Sequence, residues 1–388
     1  MDNKITIGMF CDAFFPMIDG VVMVIDNYAR RLSKFANVVV IVPEITGKKY
    51  DDSIFPYKVI RCKSMKIPFC DYSFPTPRIT INFKREIEKC KLDIVHIHSP
   101  FTIGMYGLKY AKKHNIPKVC TLHSQFDQNL MRLTKSKKVT DQIVKALMKT
   151  YRESNEVWTV NKAMVDVLCD DYKYKGTPYI IPNATEMEPI KDINKAKKAI
   201  NKKYKLNSND RVFLFVGRLN KVKNIIFLVD ALRILKNEKF KFKMLFVGFG
   251  QDEKMLIDYI KNNNLEKDVI MCGKITDREE LAKIYARADL FLFPSTYDTN
   301  SLVQIEAASQ KTPTVFIKSV TSCMVTNMVN GFITSNNVVE YADMIMKVMK
   351  DKKLYNEVAN NAYKDLYVNW DDVVKMVYDR FLTILNKK

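Results

Sequence analysis

A cationic turn stands out near the middle of the chain, in residues 216–224 (VGRLNKVKN). Arg218 and Lys223 lie five positions apart there, after an apolar strand-like run and before a helical pattern. Arginine offers a planar fork of donors and lysine a compact point charge, a combination suited to holding a diphosphate leaving group. The same spacing also occurs in ordinary charged surface loops. The two residues alone therefore leave both interpretations open.

A second polar cluster, residues 293–307 (FPSTYDTNSLVQIEA), follows another strand-like run. A helix is predicted to begin near Asn300, and its first free N–H groups would form an anion site beside Asp298. Glu306 lies about two turns along that helix, where its carboxylate could reach a ribose diol. The alternative is that Asp298 only caps the helix, a contribution of about 1 kcal/mol, and that Glu306 faces solvent.

Four more residues in or near predicted strands could contribute to a site. Gly20 directly precedes a predicted helix and would let the backbone approach a phosphate or sugar closely, although a lone glycine is more often a turn. His123 follows a predicted strand. His96 and His98 share one face of a strand and superficially resemble a metal pair, but the sequence offers no evident third ligand group, which disfavours a metal site.

The elements around these residues alternate short β-rich runs with longer helical stretches, a pattern typical of parallel sheets with crossover helices. The pattern breaks at the proline-bracketed segment 181–189, which predicts a linker. We therefore predict an α/β chain with domains at 1–184 and 185–369. After a strand in the second domain, Gly248 and Gly250 lack the third glycine of a dinucleotide loop, which favours a tight turn. Predicted elements include strands at Ile94–Ile97, Val212–Val216 and Leu290–Phe293 and a helix at Thr140–Glu153.

Composition narrows the class of protein. The chain has 388 residues, 47% hydrophobic, and no apolar run of the length that spans a bilayer. Its net charge of +20 fits an anionic membrane surface, nucleic acid or an anionic small molecule. The absence of a helix-turn-helix, zinc-finger or RNA-binding signature disfavours nucleic acid. The first apolar segment is too short for a signal peptide, which predicts a cytoplasmic protein.

Taken together, these segments resemble glycosyltransferase family 4, retaining enzymes of the GT-B fold. The resemblance implies two Rossmann-like, doubly wound domains facing a cleft, with a terminal helix in 370–388 that crosses back onto the N-terminal domain. It also implies that no metal or other cofactor is needed. The segments that carry the resemblance are 12–21 (DAFFPMIDGV), 95–100 (VHIHSP), 121–123 (TLH), 216–219 (VGRL) with Lys223, and 298–306 (DTNSLVQIE).

The resemblance assigns roles in the donor site. Arg218 and Lys223, beside Gly217, would hold the donor diphosphate and stabilise the charge of the leaving group. Glu306 corresponds to the second glutamate of the family's Glu-x7-Glu motif and would bind the donor ribose. Asp298 stands where the first glutamate belongs and would bond hydroxyls of the donor sugar. It is one methylene shorter than glutamate, which makes the identity of that sugar uncertain.

Further roles follow from the same resemblance. Asn300, Ser301 and Leu302 would offer backbone N–H groups to the phosphates, although Ser301 replaces the glycine usual in the family. Gly20 and His123, from the other domain, would close over the diphosphate and the sugar. The catalytic set implied is thus Arg218, Lys223, His123 and Asp298, with no enzyme nucleophile assigned.

The subgroup that the chain resembles comprises bacterial transferases labelled diacylglycerol glucosyltransferases. It implies transfer of a hexose from a nucleotide sugar, with UDP favoured over GDP, to a lipid or cell-envelope glycan. Another GT-B enzyme, such as an epimerase or a phosphorylase, and a non-catalytic sugar-nucleotide-binding protein are the alternatives.

A basic stretch on the N-terminal domain bears on where the protein works. As an amphipathic helix it could sit on anionic lipid at the inner face of the membrane. The alternative is a solvated face on a helix that packs ordinarily on the sheet. The basic residues are Arg132, Lys135, Lys137, Lys138, Lys145, Lys149 and Arg152, interleaved with Leu130, Met131, Ile143, Val144, Leu147 and Met148.

Overall fold

The computed structural model describes residues 4–17, 19–44, 50–66, 73–77, 79–296, 298–299 and 301–386. The chain divides into two compact units. The N-terminal unit comprises Met1–Asn183 and Trp370–Lys388, and the C-terminal unit comprises Ala184–Asn369. No helix within the described ranges is both long enough and apolar enough to cross a bilayer.

The N-terminal unit is built on a parallel sheet with helices between its strands. The strands are β1 (Thr6–Phe10), β2 (Asn37–Pro43), β3 (Lys58–Cys62), β6 (Ile94–Ile97), β7 (Lys118–Leu122), β8 (Glu156–Thr159) and β9 (Tyr179–Ile180), in the order β3-β2-β1-β6-β7-β8-β9. A separate antiparallel pair is formed by β4 (Ser64–Lys66) and β5 (Ser73–Pro75). The helices are α1 (Gly20–Leu32), α2 (Ile81–Cys90), α3 (Thr102–Lys113), α4 (Asp127–Thr134), α5 (Lys137–Arg152), α6 (Lys162–Asp166), which continues as a π-helical turn, and α14 (Trp370–Asn386).

The C-terminal unit repeats this plan with a sheet of its own. Its parallel strands are β10 (Val212–Val216), β11 (Lys243–Val247), β12 (Val269–Gly273), β13 (Leu290–Phe293), β14 (Thr314–Ile317) and β15 (Phe332–Thr334), in the order β12-β11-β10-β13-β14-β15. Its helices are α7 (Ile193–Tyr204), α8 (Ile225–Asn237), α9 (Glu253–Asn262), α10 (Arg278–Arg287), α11 (Leu302–Ser309), α12 (Val338–Lys350) and α13 (Lys352–Leu366).

Strands β10 and β13 are apolar throughout because both faces of their sheet are covered. Every residue of β10 and of β13 is buried, as expected for parallel strands between layers of helices. In each sheet the strand order reverses beside a central strand, β1 in one unit and β10 in the other. At such a switch point the loops that follow neighbouring strands part and leave room for a ligand.

The last helix, α14, completes the N-terminal unit. The Trp370 ring packs edge-on against Tyr28 of α1 at a centroid distance of 5.7 Å. Phe381 stacks on Trp158 at 5.4 Å, and Arg380 Nε donates to Glu156 Oε2 at 2.7 Å. Aromatic packing and a bidentate ion pair with β8 therefore fix the end of the chain to this sheet.

The α/β class with two parallel sheets is confirmed, and β6, β10 and β13 have the predicted bounds. The helix predicted at Thr140–Glu153 instead begins at Lys137, because Ser136 is the extended residue before its first turn. The sequence did not indicate α4, the β4–β5 pair or β15. These are short elements, in which periodicity has few residues to act on.

Candidate active site

Lys223 and Asp298 meet at the carboxyl edge of the C-terminal sheet. The Lys223 Nζ lies 2.5 Å from Asp298 Oδ1, and both side chains are 18% exposed. Lys223 ends a short 3-10 turn after β10, and Asp298 lies in the loop after β13, the strand beside β10. Ser295 Oγ donates to the other oxygen of Asp298, Oδ2, at 2.5 Å. Two of the predicted donor-site residues are thus neighbours, and one neutralises the other.

Two asparagines shape the turn that presents Lys223. The Asn220 side chain accepts a hydrogen bond from the Lys223 backbone N–H at 3.2 Å. Asn224 takes a left-handed conformation, with φ of 58°, which ends the turn and starts α8. Asparagine tolerates this region better than most residues. Asn224 Nδ2 also donates to the Pro294 carbonyl at 3.4 Å, so the two loops are tied together.

Gly248 and Gly250 pack closely against the backbone of the cationic turn. Leu219 N donates to the Phe249 carbonyl at 3.0 Å. A Cβ added at Gly248 would lie 1.9 Å from the Gly217 carbonyl oxygen, and one at Gly250 would lie 2.2 Å from the Leu219 carbonyl oxygen. The tight turn predicted here therefore also packs against the cationic turn, and both positions require glycine because any side chain would push the cationic turn away.

Arg218 differs from Lys223 in its surroundings. It is exposed, and its guanidinium makes no hydrogen bond or ion pair with the part of the chain that the structure describes. The Gly217 backbone before it is extended and donates its N–H to the Val247 carbonyl at 3.0 Å. The structure therefore leaves the Arg218 fork available to an anion.

Glu306 is buried, with 5% of its surface exposed, on α11. Arg278 Nη2 donates to its Oε1 at 2.6 Å, and the Tyr285 hydroxyl donates to its Oε2 at 3.1 Å. The alternative that Glu306 faces solvent is therefore wrong. A buried carboxylate requires such partners, because taking the charge out of water is costly.

Arg278 and Tyr285 are residues that sequence reasoning missed. Burial opposes the charge of Arg278, but its pairing with Glu306 outweighs this and raises its pKa. Burial, and then the Glu306 charge, raise the pKa of Tyr285 well above its ordinary value, so the tyrosine remains a donor. Arg278 and Tyr285 are seven positions apart on α10 and so lie on one helix face. That spacing is the signal from which a shared partner could have been predicted.

The start of α11 is described in part. Ser301 lies at the N-cap, its side chain makes no capping bond, and Leu302 is the first helical residue. A helix start without a side-chain cap leaves N–H groups for another acceptor. The predicted site residue Asn300 lies outside the described residues.

Gly20 is the first residue of α1, and Asp19 caps this helix by accepting from Val22 N at 2.8 Å. A Cβ added at Gly20 would meet no described atom within 4 Å. The packing of the protein itself therefore does not demand glycine here, in contrast to Gly248 and Gly250.

Three histidines cluster at the ends of β6 and β7, His96 within β6 and His98 and His123 just after the two strands. His98 Nδ1 lies 3.0 Å from His123 Nε2, and His96 Nε2 lies 2.7 Å from Thr121 Oγ1. Burial lowers the pKa of His123 to about 4 and those of His96 and His98 well below the ordinary value. The cluster is therefore neutral near pH 7. Across the described ranges no group of three or more His, Cys, Asp or Glu is arranged to hold a metal ion.

Asp12, in the first segment that carries the resemblance, has a local role. Its carboxylate accepts from the Ile103 backbone N–H and from Ser99 Oγ, both at 2.7 Å. Burial raises its pKa to about 6. Asp12 therefore joins the loop after β1 to the start of α3.

The basic stretch packs differently from a lipid-inserting helix. Val144, Leu147 and Met148 are buried in the core of the N-terminal unit, so the apolar face of α5 is already covered by protein. Its basic face is exposed, and Met131 and Leu133 on α4 are 43% and 74% exposed. The side chain of Arg132 lies outside the described part. The exposed residues of the basic face are Lys137, Lys138, Lys145, Lys149 and Arg152.

Comparison with known proteins places this geometry in context. A family model described as Glycosyltransferase Family 4 matches residues 18–188, and one described as Glycosyl transferases group 1 matches residues 196–365. Alpha-monoglucosyldiacylglycerol synthase of Acholeplasma laidlawii is 27% identical over 92% of this chain and 91% of its own length. The synthase of the same name from Streptococcus pneumoniae is 27% identical over 80% of this chain and 70% of its own.

Solved structures agree at the level of the fold. Sucrose-phosphate synthase from Thermosynechococcus elongatus has a TM-score of 0.79 at 17% identity, covering 99% of this chain and 100% of that one. Anabaena HepE, crystallised in complex with UDP, has a TM-score of 0.77 at 16% identity, covering 98% and 100%. These likenesses confirm the predicted GT-B fold.

Proposed function

The chain belongs to glycosyltransferase family 4, in a subgroup like the diacylglycerol glucosyltransferases, and from that premise we propose that it transfers a hexose from UDP-hexose to a lipid acceptor with retention of anomeric configuration. The predicted family and the predicted class of enzyme, a glycosyltransferase, are confirmed. The donor, the acceptor and the stereochemistry are the parts proposed.

The observation that carries the proposal is the charge arrangement at the carboxyl edge of the C-terminal sheet. An ammonium at Lys223 and an available guanidinium at Arg218 lie on one short turn. As the glycosidic bond to the diphosphate breaks, negative charge builds on the leaving group. Fixed cations at that position stabilise the transition state more than the ground state. We propose that these two side chains supply this charge and that no metal takes part.

The acidic residues complete the donor site in this proposal. Asp298 is held by Ser295 and Lys223, and it would bond hydroxyls of the donor sugar once Lys223 turns to the phosphate. Glu306 would accept from the ribose. Backbone N–H groups of residues 300–302 would bind phosphate oxygens, as helix starts do. Gly20 and His123 would contact the diphosphate and the sugar.

A lipid acceptor is proposed because the similar synthases from Acholeplasma laidlawii and Streptococcus pneumoniae are named for a glucosyldiacylglycerol product. The exposed basic face of α5 supports work at an anionic surface, since each lysine near such a surface contributes about 1 kcal/mol. We propose that the protein is cytoplasmic and peripheral on the inner membrane face, attached by charge and by the exposed Met131 and Leu133.

The test combines purified protein, one nucleotide sugar at a time and vesicles containing diacylglycerol. We expect release of UDP that requires the acceptor, together with a glycolipid whose anomeric proton signal matches that of the donor. Nucleotide release without a glycolipid, sugar interconversion without release, or phosphate-dependent cleavage would each contradict the proposal and indicate one of the alternative activities. A thermal-shift screen selects the donor, since a ligand at about 100 times its Kd stabilises by about 2.7 kcal/mol.

A further inference from the structure

We infer that Arg278 is a positioning residue of the donor site, which holds the Glu306 carboxylate in the orientation that accepts the two hydroxyls of the donor ribose. This inference rests on the proposed function, because it concerns the nucleotide that the C-terminal unit would bind. It adds a residue, Arg278, that neither the family resemblance nor the sequence pattern selected.

The geometry fixes the plane of the Glu306 carboxylate. Its two oxygens have one donor each, Arg278 Nη2 at 2.6 Å and the Tyr285 hydroxyl at 3.1 Å. Both donors come from one face of α10, two turns apart. The carboxylate is therefore held at both oxygens by a single rigid element, and rotation of the Glu306 side chain would break at least one bond.

The carboxylate still has capacity for a diol. An ionised carboxylate offers about four lone-pair sites, of which Arg278 and Tyr285 occupy two. One site then remains on each oxygen, and a vicinal diol presents two O–H donors to such a pair. A protonated carboxyl would lose this match, since one oxygen would become a donor.

Arg278 supplies the opposite charge that a buried carboxylate requires, with its Nη2 at 2.6 Å from Glu306 Oε1. Taking a carboxylate out of water is costly, and a cation in contact offsets part of that cost. The charged groups that face Glu306 are Arg278 and, through it, Glu186, whose Oε1 lies 3.3 Å from Arg278 Nε. Both of these side chains are about two-fifths exposed, at 42% and 40%. The Glu186 contact is therefore screened by water and provides a matched site for a control substitution.

The experiment measures the Kd of UDP and of 2′-deoxy-UDP for wild type, Arg278→Met, Arg278→Lys and Glu186→Gln. We expect Arg278→Met to weaken UDP by about 10- to 100-fold, the range for a lost bond to a charged group, and to weaken 2′-deoxy-UDP less, because only its 3′ hydroxyl remains to bond Glu306. Arg278→Lys should restore part of the affinity because it keeps the charge without the fork. Glu186→Gln should leave both ligands unchanged.

Equal weakening of both nucleotides, or no weakening, would overturn the inference. If Arg278→Met does not fold, Tyr285→Phe removes the other donor and should show a smaller loss that is again greater for UDP than for 2′-deoxy-UDP.

The outcomes separate the inference from the proposed function. A wild type that binds neither UDP nor any other nucleoside diphosphate contradicts the donor site itself. A wild type that binds UDP and 2′-deoxy-UDP equally well keeps the nucleotide site but overturns the role of Glu306 and Arg278.

Discussion

The two units of the chain differ in the electrostatics of the residues that follow their parallel strands. After β10 and β13 of the C-terminal unit, Lys223 and Asp298 are charged and paired. After β6 and β7 of the N-terminal unit, His98 and His123 are in contact and neutral, because burial lowers the pKa of each. One strand edge is suited to an anion and the other to an uncharged, hydrogen-bonding partner.

The comparison shows that burial decides which chemistry a strand-end residue can perform. In the C-terminal unit a buried acidic residue has a cationic partner, as Glu306 has in Arg278. In the N-terminal unit burial lowers the pKa of all three histidines, so their neutral form is favoured.

The largest effect is expected from removing the ammonium of Lys223, the charge that distinguishes the C-terminal strand ends from the N-terminal ones. We expect Lys223→Ala to lower kcat/KM by about 10³-fold, the scale seen when one preorganised group for developing charge is lost. The measurement is acceptor-dependent UDP release. Lys221→Ala is the matched control, because Lys221 is an exposed lysine on the same turn. Activity near wild type in Lys223→Ala, with folding intact, would remove the electrostatic basis of the proposal.

Two glycines, one in each unit, differ in whether the atoms around them leave room for a side chain. Gly250→Ala should destabilise the protein by about 1–3 kcal/mol, because its Cβ would lie 2.2 Å from the Leu219 carbonyl oxygen. Gly20→Ala meets open space, so it should leave thermal stability unchanged and raise the KM for the donor. Thermal unfolding and donor kinetics of both variants provide the measurement. Equal loss of stability in Gly250→Ala and Gly20→Ala would mean that a side chain at position 20 does meet neighbouring atoms.

Acid should weaken the N-terminal unit through its histidines. The folded-state pKa of His123, about 4, lies below its ordinary value near 6.5, so the unfolded chain binds more protons between these pH values. The contribution of His123 to the free energy of unfolding is therefore fully present above about pH 6.5 and is lost as pH falls towards 4. Asp12 has the opposite sign, since its pKa is raised to about 6.

Burial also lowers the pKa of His98, and denaturant titrations at pH 7 and pH 4.5 of wild type and His98→Gln test the same effect at that residue, with Asp12 common to both. We expect the acid-induced loss to be smaller in His98→Gln by on the order of 1 kcal/mol. An identical pH dependence in the two proteins would show that His98 does not remain neutral in the folded state.

The smallest effect is expected at the basic face of α5. Lys145→Gln should weaken binding to anionic vesicles by about 1 kcal/mol, roughly fivefold, with stability unchanged because the side chain is exposed. Lys202→Gln makes the same change in charge on α7 of the C-terminal unit, where we expect no loss. Cosedimentation at low and high salt measures both, and equal losses would indicate attraction by net charge rather than by this face.

Much of the fold could be predicted because the signals are local. The strands at β10 and β13 are continuous apolar runs, and the loops after them carry the residues that matter. Lys223 and Asp298 were expected in one site because both follow predicted strands and because the family resemblance assigns both to the donor site, and the structure brings them to 2.5 Å.

The parts that the sequence did not reveal depend on distant contacts. The bond between Arg278 and Glu306 joins residues 28 positions apart, and Asp12 meets Ser99 across 87. The apolar residues of α5 have the same periodicity whether protein or lipid covers them, and only the packing of Val144 and Leu147 into the core decides between the two. The role of Gly250 likewise appears only where Leu219 approaches it.

The ion pair between Lys223 and Asp298 has a consequence for ligand choice. In the resting protein the ammonium already has a tethered counterion, held in place by the Ser295 hydroxyl. An anion that contacts Lys223 must therefore exchange with that carboxylate, whereas the Arg218 guanidinium on the same turn is available without exchange. In the proposed donor site, free phosphate or sulfate would bring little else to compensate the exchange, whereas a sugar nucleotide would add further contacts and offer Asp298 new hydroxyl partners. The pair would thus disfavour the binding of simple anions to Lys223.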